Sequence, residues 1–579
     1  MALSWRGLVE VGRGLGGGRA GAGRALARIV GVTPEQLALA IRNALSEAVA
    51  AGELTVQVPD EVRVERPKNH EHGDWSTNIS LQLARGAGMP PREVAMRLAA
   101  RLGAVEGIKA VDVAGPGFLN ITVDAASAGE LARTIVQTAA TYGHNDSEAG
   151  HVINLEFVSA NPTGPLHLGH TRWAALGDAL RRLLTASGAA VTAEYYVNDS
   201  GAQMDKFAAS VLARARGQEA PEGGYPGEYV IEIATKVLAA RPDLLDLPEP
   251  EALQICRDLG YQIQLAEIHD VLASFDVHFD VWFSEASLHD SGAVDKAVAH
   301  LRDQGHVFEA EGAVWLRTTD FGDDRDRVLI RANGEPTYFA SDAAYYLSKK
   351  DRGFPEKVYM LGADHHGYVN RLKAIASCAG DDPEHNIEIR IGQLISIAGA
   401  RMAKRAGNMI EMRDLISWIG ADAVRYSLAR YPADSPLSLD GEELRKRTND
   451  NPVFYVQYAH ARTCNVTRLA GEDGVHLADG FDPGLLTHES EAALLAILGD
   501  FPRIVAQAAR LREPHRVARY LEDLAGRYHK WYDDCRVRPR EAGEEITDLH
   551  RTRLWLNEAT RVVLANGLGL LGVSAPERL

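Results

Sequence analysis

Residues 159–170 read Ser159-Ala160-Asn161-Pro162-Thr163-Gly164-Pro165-Leu166-His167-Leu168-Gly169-His170, directly after the β-like run His151-Val152-Ile153-Asn154-Leu155-Glu156-Phe157-Val158. A stretch of helical character, Thr171 to Leu184, comes next. Strand, Gly/Pro-rich turn and helix start, in that order, make a place where free backbone N–H groups and the helix dipole can hold a phosphate. His167 and His170 stand three residues apart and so share one side of the first helical turn, where both imidazoles can address one phosphate. The arrangement predicts a phosphate-bearing ligand, against the plainer alternative of two surface histidines beside a turn.

Upstream of this stretch, Thr33 followed by Pro34 and Glu35 has the pattern of a helix N-cap with proline at the first helical position. From there helical and strand-like segments alternate, among them Glu61-Val62-Arg63-Val64-Glu65-Arg66 and Gly117-Phe118-Leu119-Asn120-Ile121-Thr122-Val123, which predicts a small α/β domain over 33–149. Residues 150–439 add further short apolar strands, such as Lys357-Val358-Tyr359-Met360-Leu361, interspersed with helices. That alternation predicts a Rossmann-like, doubly wound parallel sheet, with the helical run of about 203–300 as an insertion. Residues 440–579 read as helix after helix and predict a helical bundle.

Composition bounds the function. The 579 residues are 46% hydrophobic and 24% charged, ordinary for a globular chain. The sequence shows no apolar run of bilayer length, and no membrane partner is expected. Cys256, Cys378, Cys464 and Cys535 are far apart, without any C-x-x-C, so neither a disulfide framework nor a structural metal is expected and a reducing cytoplasm fits. The net charge of −17 argues against indiscriminate polyanion binding, yet from Gly441 onward 19 Lys/Arg face 21 Asp/Glu, which leaves room for local basic patches. Residues 1–32 are Arg- and Gly-rich and poor in acids; they read as a disordered tail, with an early start codon or a transit peptide as alternatives.

Two further motifs carry chemistry. Arg401-Met402-Ala403-Lys404-Arg405-Ala406-Gly407-Asn408 is a short basic loop, on which a lysine can neutralise charge building on the β- and γ-phosphates as pyrophosphate leaves. Gly362-Ala363-Asp364-His365-His366 follows a strand, where glycine admits a ribose close to the backbone and aspartate can accept its hydroxyls.

Together these pieces resemble the class I aminoacyl-tRNA synthetases, and specifically the arginyl-tRNA synthetase family. The matching stretches run from about Val64 to the C-terminus: Gly73 to Asn78, Glu156 to His170, Tyr225-Pro226-Gly227-Glu228-Tyr229, Phe279 to Glu285, Gly334 to Asp342, Met402 to Gly407, and Asn451 to Arg462. The resemblance implies that Glu156, Asn161, Glu285, Tyr338 and Asp342 line an arginine pocket. Paired carboxylates suit a planar guanidinium and reject neutral amino acids. It implies further that Gly169, Gly362, Asp364, His366 and Met402 contact ATP, that His167 and His170 stabilise the α-phosphate, and that Lys404 meets the departing pyrophosphate. Mg²⁺ is expected to arrive with ATP rather than in a cage of its own. For tRNA-Arg the implied contacts are Asn78 and Gln82 in the N-terminal domain and the helical stripe Tyr455, Tyr458 and Arg462, which could equally be bundle core. The family is mostly monomeric, and a monomer is expected.

The sequence departs from the family pattern at two places. Ala403 stands where the M-S-K-R loop carries serine, removing a hydroxyl from that loop. Leu579 stands where the family has a methionine, keeping the apolar contact without the sulfur. Two other readings stay open at this point: another H-x-G-H nucleotidyltransferase, such as a cysteinyl synthetase or a pantothenate-type ligase, and a non-catalytic tRNA-binding paralogue. The lack of a zinc-spaced Cys/His cluster and the long helical C-terminus weigh against the first, and intact His167, His170 and Lys404 against the second.

Overall fold

The computed structural model describes residues 33–67, 72–398, 410–539, 541 and 543–579, and the chain divides between Ala128 and Gly129 into two compact units. In the first unit, helix α1 (Pro34–Ala50) starts at Thr33, whose Oγ1 accepts the Gln36 amide while the Gln36 side chain accepts the Thr33 N–H, each at 3.3 Å. Strands β1 (Trp75–Thr77), β2 (Ile108–Ala114) and β3 (Phe118–Val123) form an antiparallel sheet in the order β1-β3-β2. Helices α2 (Ile79–Ala87) and α3 (Pro91–Leu102) lie in sequence between β1 and β2. Leu37, Ile41, Trp75, Val94, Leu98 and Ile121 fill the core. The segment Glu61–Arg66, expected as a strand, makes only a bridge from Glu65 to Ser76. Pro59 and Pro67 bracket it, and neither can donate to a ladder.

Helix α4 (Ala125–Thr138) leads into the second unit. The sequence pattern attached residues 129–149 to the first domain. In the structure Leu131, Ala132, Ile135 and Tyr142 are buried in the core of the second unit, and the Tyr142 hydroxyl donates to the Leu498 carbonyl at 2.9 Å.

The main sheet is built from β4 (Val152–Glu156), β5 (Ala190–Val197), β6 (Val281–Ser284), β10 (Glu356–Leu361) and β11 (Ile387–Ile391), all parallel, in the order β11-β10-β4-β5-β6. Ile153, Asn154 and Leu155 of β4 are fully buried, as expected of a strand covered on both faces. Helix α5 (Leu168–Ala186) follows β4 and lies directly on the sheet: a Cβ at Gly177 would sit 2.3 Å from the Phe157 ring. The chain leaves β4 on one side for β5 and β6, then returns to place β10 and β11 on the other. The winding reverses between β4 and β10, the point at which a doubly wound sheet forms a crevice beyond the carboxyl ends of its strands.

Between β5 and β6 come α6 (Ala202–Ala215), α7 (Glu228–Ala240) and α8 (Glu249–Ser274), with a core of their own that includes Phe207, Val211, Val230 and Ile233. The helical run over 203–300 is therefore not purely an insertion, since it contains β6, an edge strand of the main sheet. Its four residues, Val281-Trp282-Phe283-Ser284, are too few to show a period against the helices on either side.

Helices α9 (Ala286–Asp290) and α10 (Ala293–Asp303) precede a small antiparallel sheet of β7 (Val307–Ala310), β8 (Ala313–Leu316) and β9 (Arg327–Ile330). Helix α11 (Tyr338–Asp351) feeds β10, and α12 (Val369–Cys378) joins β10 to β11. Strand β12 (Ile395–Ala398) pairs in parallel with β13 (Leu437–Asp440), and between them run α13 (Met412–Ile419) and α14 (Ala421–Ala429).

The C-terminal bundle comprises α15 (Pro452–Glu472), α16 (Glu489–Arg510), α17 (His515–Asp534) and α18 (Asp548–Leu570). Contrary to the sequence expectation, α16 is long and apolar enough by length and composition to cross a membrane. It is a bundle helix here: Leu494, Leu498, Phe501 and Val505 are buried in a core shared with Leu521, Leu524 and Tyr528 of α17.

Candidate active site

After Glu156 the chain turns sharply out of the sheet. Val158 and Ser159 have φ of 68° and 40°, and a left-handed β-branched residue costs on the order of 1–3 kcal/mol. Two side chains hold the turn there. The Tyr195 hydroxyl accepts the Ala160 N–H and donates to the Ala160 carbonyl, both at 3.0 Å. Ser159 Oγ donates to Glu156 Oε1 at 3.2 Å and accepts the Tyr196 amide at 3.1 Å.

Helix α5 begins at Leu168, earlier than the Thr171 expected from its pattern, because His167 serves as its N-cap. The Gly169 amide donates to His167 Nδ1 at 3.1 Å, and the His167 amide donates to His170 Nδ1 at 3.3 Å, a reciprocal capping box built from imidazoles. The rings stack at 3.7 Å between centroids. A Cβ at Gly169 would lie 3.1 Å from the His167 ring, so glycine lets that ring fold over its own helix start. An Nδ1 that accepts an amide proton is the unprotonated nitrogen of its ring, which places the ring proton of His170 on Nε2. Burial, reinforced by His167, pushes the pKa of His170 down to about 3.

Lys404 and Met402 lie outside the described residues. The chain just after them is anchored to the histidine turn: the Leu168 amide donates to the Ile410 carbonyl at 2.9 Å, and the Met412 amide to the Leu166 carbonyl at 2.7 Å. The strand before them is anchored too. Arg172, 2% exposed on α5, donates from Nη1 to the Gln393 carbonyl at 2.9 Å and from Nη2 to those of Pro432 at 2.8 Å and Ser435 at 2.9 Å.

A cavity of about 450 Å³ is lined by residues that include Ser200, Gly201, Glu285, His289, Tyr338 and Ser341; neither His167 nor His170 lines it. Glu285 follows β6 and is 3% exposed. Asp199 shapes this corner by accepting from Ser284 Oγ at 2.6 Å, the Ala286 amide at 2.9 Å and the Tyr261 hydroxyl at 3.1 Å. Glu285 Oε2 and Asp342 Oδ2 are both buried without a hydrogen-bond partner. Burial raises the pKa of Glu285, and the hydroxyls of Ser200 and Tyr196 oppose it. Burial, and then the charge of Glu285, raise that of Asp342 to about 7, against the Tyr368 hydroxyl and Arg371.

Tyr338, Asp342, Tyr345 and Lys349 repeat at four, three and four residues along α11 and form one stripe. Tyr338, at the outer end, is 59% exposed. At the inner end Lys349, fully buried, donates to Glu156 Oε2 at 2.6 Å, and the Tyr345 hydroxyl lies 2.8 Å from the same oxygen. With Ser159 on Oε1, Glu156 is held on both oxygens, while the single proton of the Tyr345 hydroxyl is contested by Glu194 Oε1 at 2.6 Å. Beneath it Glu194 is paired with Arg352 at 2.6 and 3.0 Å, so this lower layer is internally neutral. The structure thus brings Glu285, Tyr338 and Asp342 to one region and sets Glu156 against Lys349, while Asn161 is exposed and donates to Gln203 Oε1 at 2.8 Å.

Gly362 follows β10, beside β4 across the crevice, and opens the 3₁₀ turn Ala363–Tyr368; His366 on that turn is exposed. Asp364 lies on the same turn. In the first unit, Gln82 Nε2 donates to Asn78 Oδ1 at 2.9 Å on α2 and its cap. In the bundle, Tyr455, Tyr458 and Arg462 are half-buried: Arg462 donates to the Tyr458 hydroxyl at 2.8 Å and packs over the Tyr458 and Tyr532 rings, while Tyr455 meets His529 edge-on. Among the described residues no group of three or more His, Cys, Asp or Glu is gathered to hold a metal ion.

Sequence reading missed Lys349, Tyr345, Arg172 and Tyr195. For the first two the signal was present as the continuation of the Tyr338/Asp342 spacing; the others act across elements that only the fold brings together.

A parallel sheet with a reversed winding point and a helix capped by H-L-G-H at that point define the catalytic fold of the class I aminoacyl-tRNA synthetases. Residues 35–123 match the arginyl tRNA synthetase N terminal domain, 251–427 the catalytic domain of tRNA synthetases class I (R), and 456–579 the DALR anticodon binding domain. The chain is 64% identical over 556 residues to the arginine–tRNA ligase of Pseudarthrobacter chlorophenolicus, covering 95% of this chain and 100% of that one. It is 65% identical over 551 residues to that of Renibacterium salmoninarum, with coverage of 95% and 100%. The solved Thermus thermophilus arginyl-tRNA synthetase shares the fold at a TM-score of 0.70 and 23% identity, over 95% of this chain and 100% of that one. The chain belongs to the arginyl-tRNA synthetase family.

Proposed function

We propose that this site joins arginine to tRNA in two steps, with the residues in the roles that follow. The observation that carries the reading is the pair of unpartnered buried carboxylate oxygens, on Glu285 and Asp342, in a chain of an aminoacyl-tRNA ligase family. A buried carboxylate oxygen without a donor is costly, and a guanidinium is the cation whose planar fork satisfies two carboxylates at once.

Glu285, Asp342, Tyr338, Asn161 and Glu156 surround arginine. Gly169, Gly362, Asp364, His366 and Met402 surround ATP, and Mg²⁺ accompanies the phosphates as part of that substrate. The arginine carboxylate attacks the α-phosphorus, a new P–O bond forms, and the bond to the bridging oxygen breaks with release of pyrophosphate. The Nε2–H groups of His167 and His170 donate to the α-phosphate as charge builds on it, without taking part as nucleophiles. Lys404 meets the charge on the departing pyrophosphate.

In the second step the 2′-hydroxyl of the terminal adenosine of tRNA-Arg attacks the arginyl carbonyl and AMP leaves. Tyr455, Tyr458 and Arg462 of the bundle, with Asn78 and Gln82 of the first unit, contact tRNA. The protein works in the cytoplasm as a monomer.

Aminoacylation of bulk tRNA with each of the twenty amino acids tests the reading: arginine alone is expected to be attached. Arginine-dependent exchange of pyrophosphate into ATP is expected to need tRNA, and attachment of a neutral amino acid at a comparable rate would overturn the assignment.

A further inference from the structure

The motif Tyr225-Pro226-Gly227-Glu228-Tyr229 has no part in the roles above. Its last residue reaches the catalytic turn: the Tyr229 hydroxyl donates to the Thr163 carbonyl at 2.8 Å. Thr163 is buried and lies between Pro162 and Pro165, four residues before His167. Two glycines accommodate the tyrosine ring. A Cβ at Gly164 would sit 3.2 Å from its hydroxyl, and a Cβ at Gly227 would sit 2.4 Å from its Cε1. The other side of Pro162 is held from the same direction, by the bond from Asn161 to Gln203 of α6. Helices α6 and α7 share a hydrophobic core separate from that of the sheet, so this turn is where a self-contained helical layer meets the start of α5.

We propose that Tyr229 is a positioning residue for adenylate formation: through Thr163 it sets the turn from which His167 and His170 are presented to the α-phosphate. The inference rests on the adenylation reading above. Tyr229 touches neither Glu285 nor Asp342, the two carboxylates proposed to face the guanidinium. A misplacement of donors by a fraction of an ångström is felt in the rate, because near-attack geometry contributes to the rate step and not to ground-state affinity.

The experiment is Tyr229→Phe in the full chain, which keeps the ring between Gly164 and Gly227 and removes only the hydroxyl. Arginine-dependent pyrophosphate exchange, measured with tRNA present, is expected to lose about tenfold or more in kcat while KM for arginine stays within about twofold. Thermal unfolding is followed alongside, and an unchanged Tm with the lowered kcat supports positioning. A kcat within twofold of wild type, a matching rise in KM for arginine, or a Tm loss that accounts for the missing activity by active-site titration overturns the proposal. Absence of arginine-dependent exchange in the wild-type chain would instead remove the adenylation reading, and the positioning role with it.

Discussion

Burial, and then the charge of Glu285, raise the proton affinity of Asp342, and each of the two residues presents a buried carboxylate oxygen that no donor among the described residues satisfies. Removing the charge of one while keeping its shape tests what these oxygens are for. Asp342→Asn is expected to raise KM for arginine by about 10- to 100-fold, the range for losing a hydrogen bond to a charged group. KM for ATP is expected to stay within about twofold, since Asp342 lies on α11 and not on the strand ends that face the nucleotide. Equal changes in both constants, measured by pyrophosphate exchange, would take Asp342 out of the arginine pocket.

The same carboxyl gives arginine recognition a pH dependence. With its pKa raised to about 7, Asp342 is largely protonated at pH 6 and must lose that proton to face a guanidinium. The apparent affinity for arginine is therefore expected to rise with pH, by up to about tenfold per unit below 7, and to level off above 8. The stability contribution has the opposite sign: an acid whose folded pKa is raised adds stability below its unfolded value of 3.8, and this is lost as pH rises toward 7. Bound arginine offsets that loss, so its thermal shift is expected to be larger at pH 8 than at pH 6, and a pH-independent shift would contradict the assignment.

His167 caps α5 and also offers an Nε2–H. His167→Ala is expected to cost about 1 kcal/mol of stability for the lost cap and about 10²- to 10³-fold in the rate of adenylate formation for the lost donor. Calorimetry and single-turnover formation of adenylate separate the two effects. A rate loss no larger than the unfolded fraction explains would reduce His167 to a cap.

Lys349 and Glu156 form a buried pair, and breaking such a pair from one side strands the other charge. Lys349→Met is expected to destabilise the second unit by about 3–5 kcal/mol in denaturant unfolding. Lys349→Met with Glu156→Gln is expected to recover at least about 1 kcal/mol of that, because the stranded carboxylate is gone. Additive losses would show that the two do not act as a pair.

Much of the site was legible because it is local. The order of strand, turn and helix around His167 and His170 needs no tertiary information, and the spacing of Tyr338 and Asp342 lies within one helix. The early start of α5 was missed because histidine is not among the usual capping residues, and the imidazole cap is visible only once the rings have folded back. Strand β6 was hidden by its length and its helical neighbours. The pairing of Glu156 with Lys349 joins residues 193 positions apart on β4 and α11, which no periodicity reports. The break at Ala128/Gly129 was misplaced because α4 continues through it, so composition does not change where the packing does.

The imidazole cap has a last consequence. Each ring turns one nitrogen to a main-chain amide, and burial keeps His170 uncharged near neutral pH. On the proposed reading, an incoming triphosphate meets His170 as an oriented dipole that cancels none of its four negative charges. Their neutralisation is then left to cations that travel with the nucleotide, which makes nucleotide capture sensitive to ionic conditions.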